Sequence, residues 1–115
     1  MTTIYHNPRC SKSRETLALL EQKGITPDVI LYLQTPPSAD TITALLSLLQ
    51  MNSARELMRT KEDIYKELNL KEEHNEEALI TAMVNNPKLI ERPIVVHNEQ
   101  AKIGRPPESV LELFA

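Results

Sequence analysis

The sequence predicts a single α/β domain spanning residues 1–115, built on a small mixed sheet. Three observations carry that expectation. A β-branched and aromatic run near the start is followed by a helical pattern and a second apolar run. A stretch from about residue 38 to 90 then carries repeated helix starts and no convincing strand. Strand chemistry returns at PIVVH, residues 93–97, and the chain closes on a helical pattern.

The elements follow in order. TTIYH, residues 2–6, reads as a strand that stops at Asn7-Pro8, a dipeptide that ends regular structure. From Ser11, SKSRETLALLEQKG reads as a helix with an apolar face through Leu17, Ala18, Leu19 and Leu20, stopped by Gly24. DVILYL, residues 28–33, is a nearly continuous apolar run, as expected for a strand buried on both faces. Strand, helix and strand in so few residues imply a parallel crossover.

After Thr35-Pro36-Pro37, Ser38 is placed to cap a helix through Ile42, Leu45, Leu46 and Leu49. Ser53 and Glu56 have capping-box spacing, Asn75 precedes EEALITAMVNN, and Asn86-Pro87 starts a last short turn. PIVVH and the weaker run ending at Ile103 make a hairpin about Asn98-Glu99. PPESVLELF adds a proline-started helix able to pack Val110, Leu111 and Phe114. The order βαβ, helices, ββα is the wiring of a thioredoxin-like domain: a four-stranded mixed sheet with an all-helical insertion between strands 2 and 3.

Composition excludes several classes. Thirteen Lys and Arg against sixteen Asp and Glu give a net charge of -3, so no global field favours nucleic acid or an acidic membrane. One cysteine cannot make an internal disulfide, and only two glycines leave no clustered-glycine phosphate cradle. No apolar run approaches the roughly 20 residues of a membrane span and no signal segment opens the chain, so the expected location is the cytoplasm. His74 and His97 lack metal-ligand spacing with each other or with Cys10 and read as surface or turn residues, so no metal is expected; no bound cofactor is expected either. The run KEEHNEE reads as a solvated helix entry, and Met51, Met58 and Met83 as core filler.

The chemistry concentrates at Cys10, which falls between a strand end and a helix start. Unpaired backbone N–H groups and the positive end of the helix dipole favour a thiolate there. Arg9, Lys12 and Arg14 surround it in sequence, and His6 at the strand end adds a further expected positive charge. The same geometry suits an oxyanion. Lowering a cysteine from about 8.5 to about 6.5 raises the thiolate fraction at neutral pH roughly 20-fold, while intrinsic nucleophilicity falls roughly 10-fold. The net gain is small, so the cations are expected to serve anion capture and leaving-group quality more than attack rate. Cys10 and Arg14 lie too close for a phosphatase-type loop. Ser13 stands where a dithiol motif needs its second cysteine, so any disulfide exchange must use an external thiol.

HNPRCSKSRETL, with RPIVV and IGRPPE downstream, resembles the arsenate reductase family of the glutaredoxin-dependent, thioredoxin-like kind over essentially the whole chain. The resemblance implies that Cys10 attacks arsenate, that glutathione is the co-substrate and that glutaredoxin removes the resulting mixed disulfide. It implies catalytic support from His6 and Ser13, with Ser13 donating to the sulfur, and an oxyanion pocket of Arg59, Arg92 and Arg105 flanked by Arg14. It also implies a cis bond before Pro93. Ser11 and Lys12 replace the Gly-Thr of better-studied members. Without the resemblance, Arg59 reads as a surface partner of Glu62 or Asp63. Two rival functions fit the same residues: a glutathione-dependent thiol transferase, and a non-enzymatic redox or transcription partner resembling Spx. Against the latter stands the missing Cys-x-x-Cys pair.

Overall fold

A computed structural model describes all residues, Met1–Ala115. Four strands form one sheet: β1 (Thr2–Tyr5), β2 (Asp28–Ile30), β3 (Ile94–His97) and β4 (Gln100–Ile103), in the order β2-β1-β3-β4. β1 runs parallel to β2 and antiparallel to β3, which pairs antiparallel with β4. This is the mixed, thioredoxin-like sheet that the element order predicts. Four α-helices accompany it: α1 (Ser11–Gln22), α2 (Ala39–Leu48), α3 (Asp63–Glu67) and α4 (Glu76–Asn85). No helix is long and apolar enough to cross a membrane.

Backbone contacts divide the chain into two compact units. The first joins Met1–Thr35 to Arg92–Ala115 and contains the sheet, α1 and a C-terminal 3-10 helix, Pro107–Phe114. Its core is Ile4, Leu20, Val95, Val110 and Leu113, with Leu17, Ile25 and Phe114 packed against it. Removing each such side chain from water contributes roughly 1.5–3 kcal/mol before entropy is counted. The end of α1 is fixed by a Schellman motif. Gly24 takes φ 77, its N–H donates to the Glu21 carbonyl at 3.0 Å, and the Ile25 N–H donates to the Leu20 carbonyl at 2.9 Å. Ile25 packs against the core cluster that contains Leu20. The β3–β4 turn is Asn98-Glu99, with φ 48 and 64, a left-handed pair whose twist suits a two-residue hairpin.

Three local expectations are corrected. β2 is three residues long and not buried on both faces: it lies at the sheet edge, with Asp28 and Val29 exposed. The apolar run ends in a turn, in which the Gln34 and Thr35 N–H groups both donate to the Leu31 carbonyl. The buried side of α1 is Ser13, Thr16 and Leu20, while Ala18 is exposed. The last helix is 3-10, so i and i+3 eclipse and Val110 pairs with Leu113 as its buried positions, leaving Leu111 and Phe114 half-buried.

The second unit, Pro36–Glu91, is helical. Ser38 Oγ accepts the Thr41 N–H and Asn75 Oδ1 accepts the Ala78 N–H, both at 3.1 Å, so the caps of α2 and α4 are as read. The Ser53–Glu56 capping box forms, but it opens only a 3-10 turn, Ala54–Leu57. Glu76, in the acidic run, turns back to accept the Ala54 N–H at 2.7 Å and the Ser53 hydroxyl at 2.9 Å. Those two bonds hold its carboxyl below the usual carboxylate range. Arg55, which sequence reasoning did not single out, donates to the carbonyls of Leu70 and Glu73 and to the Tyr65 hydroxyl. It ties three separate short elements together.

Gly104 closes the first unit around α1. Its N–H donates to the Pro93 carbonyl at 2.9 Å, and a Cβ there would lie 2.8 Å from Pro93 Cγ and collide with the buried Thr16 side chain. Because both neighbours are packed, Gly104→Ala should destabilise the protein by about 1–3 kcal/mol, measured as a lowered midpoint in urea with unchanged slope.

Candidate active site

The site is made where β1 hands the chain to α1. The His6 N–H donates to the Ile30 carbonyl at 2.8 Å, keeping the chain at the sheet for one residue past the strand. Asn7 then organises the turn. Its carbonyl accepts the Cys10 N–H and its side-chain Oδ1 accepts the Arg9 N–H, both at 3.0 Å. Cys10 is thereby set at the N-cap of α1 with extended φ and ψ, -94 and 123. In most helices this position carries an oxygen that accepts the N–H groups of the second and third helical residues. Here those residues are Lys12 and Ser13; the sulfur makes no capping hydrogen bond, but both N–H groups favour its ionised form.

Cys10 is 9% exposed. Burial is the largest single influence on its thiol and pushes the pKa up. The Ser13 N–H, Arg92, the Lys12 N–H and Arg105 together outweigh it, so the thiol lies below its ordinary value. Arg105 is the bridging cation: its Nη2 lies 3.7 Å from Cys10 Sγ, and its Nε donates to the Arg92 carbonyl at 2.9 Å. The peptide bonds Arg92-Pro93 and Arg105-Pro106 are both cis. The first matches the expectation, and the second was not foreseen.

His6 and Ser13 form a separate pair behind the sulfur. His6 is buried, and its Nδ1 lies 2.6 Å from Ser13 Oγ, which also accepts the Asn7 N–H at 3.0 Å. Burial first, and then the Arg14 charge, push the His6 pKa down. Both influences favour the neutral ring, which runs against the expectation that His6 adds positive charge beside Cys10. The Ser13 hydroxyl meets His6 and accepts the Asn7 N–H, and the Ser13 backbone N–H favours the thiolate.

The remaining predicted residues divide by place. Arg14 is exposed and donates to the Pro8 carbonyl at 3.0 Å, and its charge acts on His6. Lys12 is turned to Glu15, with the ammonium 3.6 Å from the carboxylate. Arg59 belongs to the helical unit, where it pairs with Glu62 at 2.8 Å and its N–H donates to the Leu89 carbonyl at 2.7 Å. His97 is not a plain surface residue. Its Nδ1 meets Thr2 Oγ1 at 2.9 Å, and its ring packs on Phe114 at 4.3 Å between centroids. No cluster of His, Cys, Asp and Glu is placed to hold a metal ion.

A cysteine at the start of a helix on a thioredoxin-like sheet, with Arg105 beside its sulfur, is an arrangement suited to the thiol chemistry of the oxidoreductase class. The chain belongs to the ArsC family, which it matches over residues 5–113. It is 68% identical over 111 residues to the uncharacterised protein YfgD of Escherichia coli K12, covering 96% of this chain and 93% of that one. To an arsenate reductase of Haemophilus influenzae it is 51% identical over 112 residues, covering 96% and 97%. The solved structure of an arsenate reductase from Vibrio cholerae is similar with a TM-score of 0.95 at 58% identity, covering 97% of this chain and 96% of that one.

Two predictions follow from the charges. The midpoint of Cys10 alkylation against pH should rise in Arg92→Ala and in Arg105→Ala but stay close to the native value in Arg14→Ala, since only the first two act on the sulfur. The His6 ring, followed by NMR, should titrate below the usual histidine range, and Arg14→Ala should move that midpoint up. Because the neutral form is favoured on folding, His6 contributes stability that is present above the unfolded pKa and is lost as pH falls through the folded one.

Proposed function

We propose that the protein is an arsenate reductase, with glutathione and glutaredoxin as the thiol reductants. The observation that carries this reading is Arg105 Nη2 at 3.7 Å from the sulfur of a cysteine set at a helix start, with the charge of Arg92 also favouring the thiolate. An oxyanion placed there meets guanidinium forks suited to tetrahedral oxygens, and it sits against the nucleophile. Identity to named arsenate reductases along nearly the whole chain supports the choice of arsenic over other oxyanions.

The chemistry is as follows. Cys10 thiolate attacks the arsenic of arsenate, a sulfur–arsenic bond forms, and one oxygen leaves as water after protonation. The thiolate of glutathione then attacks the Cys10 sulfur. The sulfur–arsenic bond breaks with its electron pair passing to arsenic, which falls from the pentavalent to the trivalent state and leaves as arsenite. Two thiols have become one mixed disulfide, so two electrons balance. A second thiol, delivered by glutaredoxin, exchanges with that disulfide and returns Cys10.

Within this scheme the low thiol pKa serves twice, by keeping Cys10 ionised for the first attack and by making it a good leaving group in the last exchange. The chain has no second cysteine to resolve the disulfide internally, which fits an external thiol. His6 and Ser13 act as positioning residues that fix the loop through Asn7. Arg59, which the resemblance adds to the oxyanion set, is paired with Glu62.

The test is a steady-state assay with arsenate, glutathione and glutaredoxin. Cys10→Ser should abolish turnover. Arg105→Ala should lower kcat/KM for arsenate by about 10²- to 10³-fold, the scale of losing one charge-stabilising donor. An Arg105→Ala enzyme of native efficiency would contradict the oxyanion assignment.

A further inference from the structure

Thr16 is a fully buried polar residue in the interior of α1, and neither the core cluster nor the thiol chemistry accounts for it. A β-branched residue is a poorer helix former than leucine or methionine. Its hydroxyl donates to the Lys12 carbonyl of its own helix at 2.8 Å, a back-bond that does not strengthen a helix. A purely structural position on the buried side would favour an unbranched apolar residue. Thr16 instead faces backbone: a Cβ added at Gly104 would collide with Thr16 Oγ1 and lie 3.1 Å from Thr16 Cγ2. Both branches of the side chain therefore bear on the residue that precedes Arg105. We propose that Thr16 is a positioning residue for the thiol site: its two branches set the depth at which the Gly104 loop rests on α1, and so how closely the Arg105 guanidinium approaches Cys10 Sγ.

The path from Thr16 to the sulfur is short, and each link is tight. Gly104 is also held by Pro93, whose carbonyl accepts the Gly104 N–H at 2.9 Å and whose Cγ would lie 2.8 Å from an added Cβ. The Arg105 N–H donates to the Ile103 carbonyl at 2.9 Å, closing the turn around Gly104, so a displacement of Gly104 passes to Arg105. From there Arg105 Nε donates to the Arg92 carbonyl at 2.9 Å and Nη2 lies 3.7 Å from Sγ. The attraction between guanidinium and thiolate falls with the inverse of distance, so a retreat of about 1 Å would weaken it by roughly a fifth. Alanine at position 16 removes the stop against which the loop rests. Valine keeps both branches and loses only the hydroxyl. That difference matters because the rival route runs through the helix: Thr16 bonds to the carbonyl of Lys12, whose N–H also favours the thiolate. A role of that kind needs the hydroxyl and does not need Arg105.

The test is the pH profile of Cys10 alkylation by iodoacetamide, an uncharged reagent, in the whole protein, with stability in urea measured on the same variants. Thr16→Ala should slow alkylation below the midpoint about 2- to 5-fold without lowering the high-pH plateau, the mark of weaker ionisation and not of altered access. Thr16→Val should restore the native profile. In an Arg105→Ala background Thr16→Ala should have no further effect, because the cation that it positions is gone. A Thr16→Ala protein that loses stability but keeps the native profile overturns the proposal. So does a Thr16→Val profile displaced like that of Thr16→Ala, which would put the effect on the hydroxyl and the helix, and so does a Thr16→Ala effect that is undiminished without Arg105. Should Thr16→Ala fail to fold, Thr16→Ser, which drops only Cγ2, is read by the same outcomes. The readout is the ionisation of Cys10 and involves no arsenate, so the result stands apart from the reading of the substrate.

Discussion

The structure depends on one electrostatic balance, that of a sulfur largely removed from water yet held as an anion. Burial alone would keep Cys10 protonated and inert, as it does for most buried cysteines. What reverses this is the position of Cys10 at the N-cap of α1. The cap places it before the N–H groups of Lys12 and Ser13, at the end of the helix where unpaired donors and the backbone dipole favour negative charge. Arg92 and Arg105 complete the balance from loops far away in sequence. The effect on stability has a definite sign. Between the folded and unfolded thiol pKa values the unfolded chain binds more protons, so stability rises with pH there and is lost as pH falls through the folded value.

The fold reads as support for that cap. β1 and the Asn7 turn fix where α1 starts, the Schellman motif at Gly24 fixes where it ends, and Gly104 packs against Thr16 to set the loop that carries Arg105. The polar residues Ser13 and Thr16 on the buried side of α1 mark the part of the helix committed to the site. Leu20 marks the part committed to the core. Arg105 also donates to the Arg92 carbonyl, so the two cis-proline loops are joined by the same side chain that reaches the sulfur.

Much of this was legible from residues 1–115 without coordinates. Strand chemistry at TTIY and IVVH, the Asn-Pro stop, the serine and asparagine caps and Gly24 each express a local rule, and each appears where the rule places it. The misreadings share a cause, which is that sequence states residue type and not surroundings. DVILYL is apolar enough for a central strand, but its place at the sheet edge and the turn at Leu31 follow from pairing partners elsewhere in the chain. His6 and Arg14 are close to Cys10 in sequence, yet burial disfavours charge on the first, and the second turns to the Pro8 carbonyl. Arg92 and Arg105 are distant in sequence and came from resemblance. No local pattern near Cys10 points to them. Arg55 was missed because a lone arginine in a capping box gives no sign that three backbone and hydroxyl partners await it.

The most direct measurement is the ultraviolet absorbance of the thiolate, titrated against pH in the native protein and in the protein unfolded in urea. With one cysteine in the chain the signal has a single source. A native midpoint clearly below the unfolded one is the result this account predicts. Coincident midpoints, or a native midpoint above the unfolded one, would mean that burial wins at Cys10, and the account would be contradicted at its base.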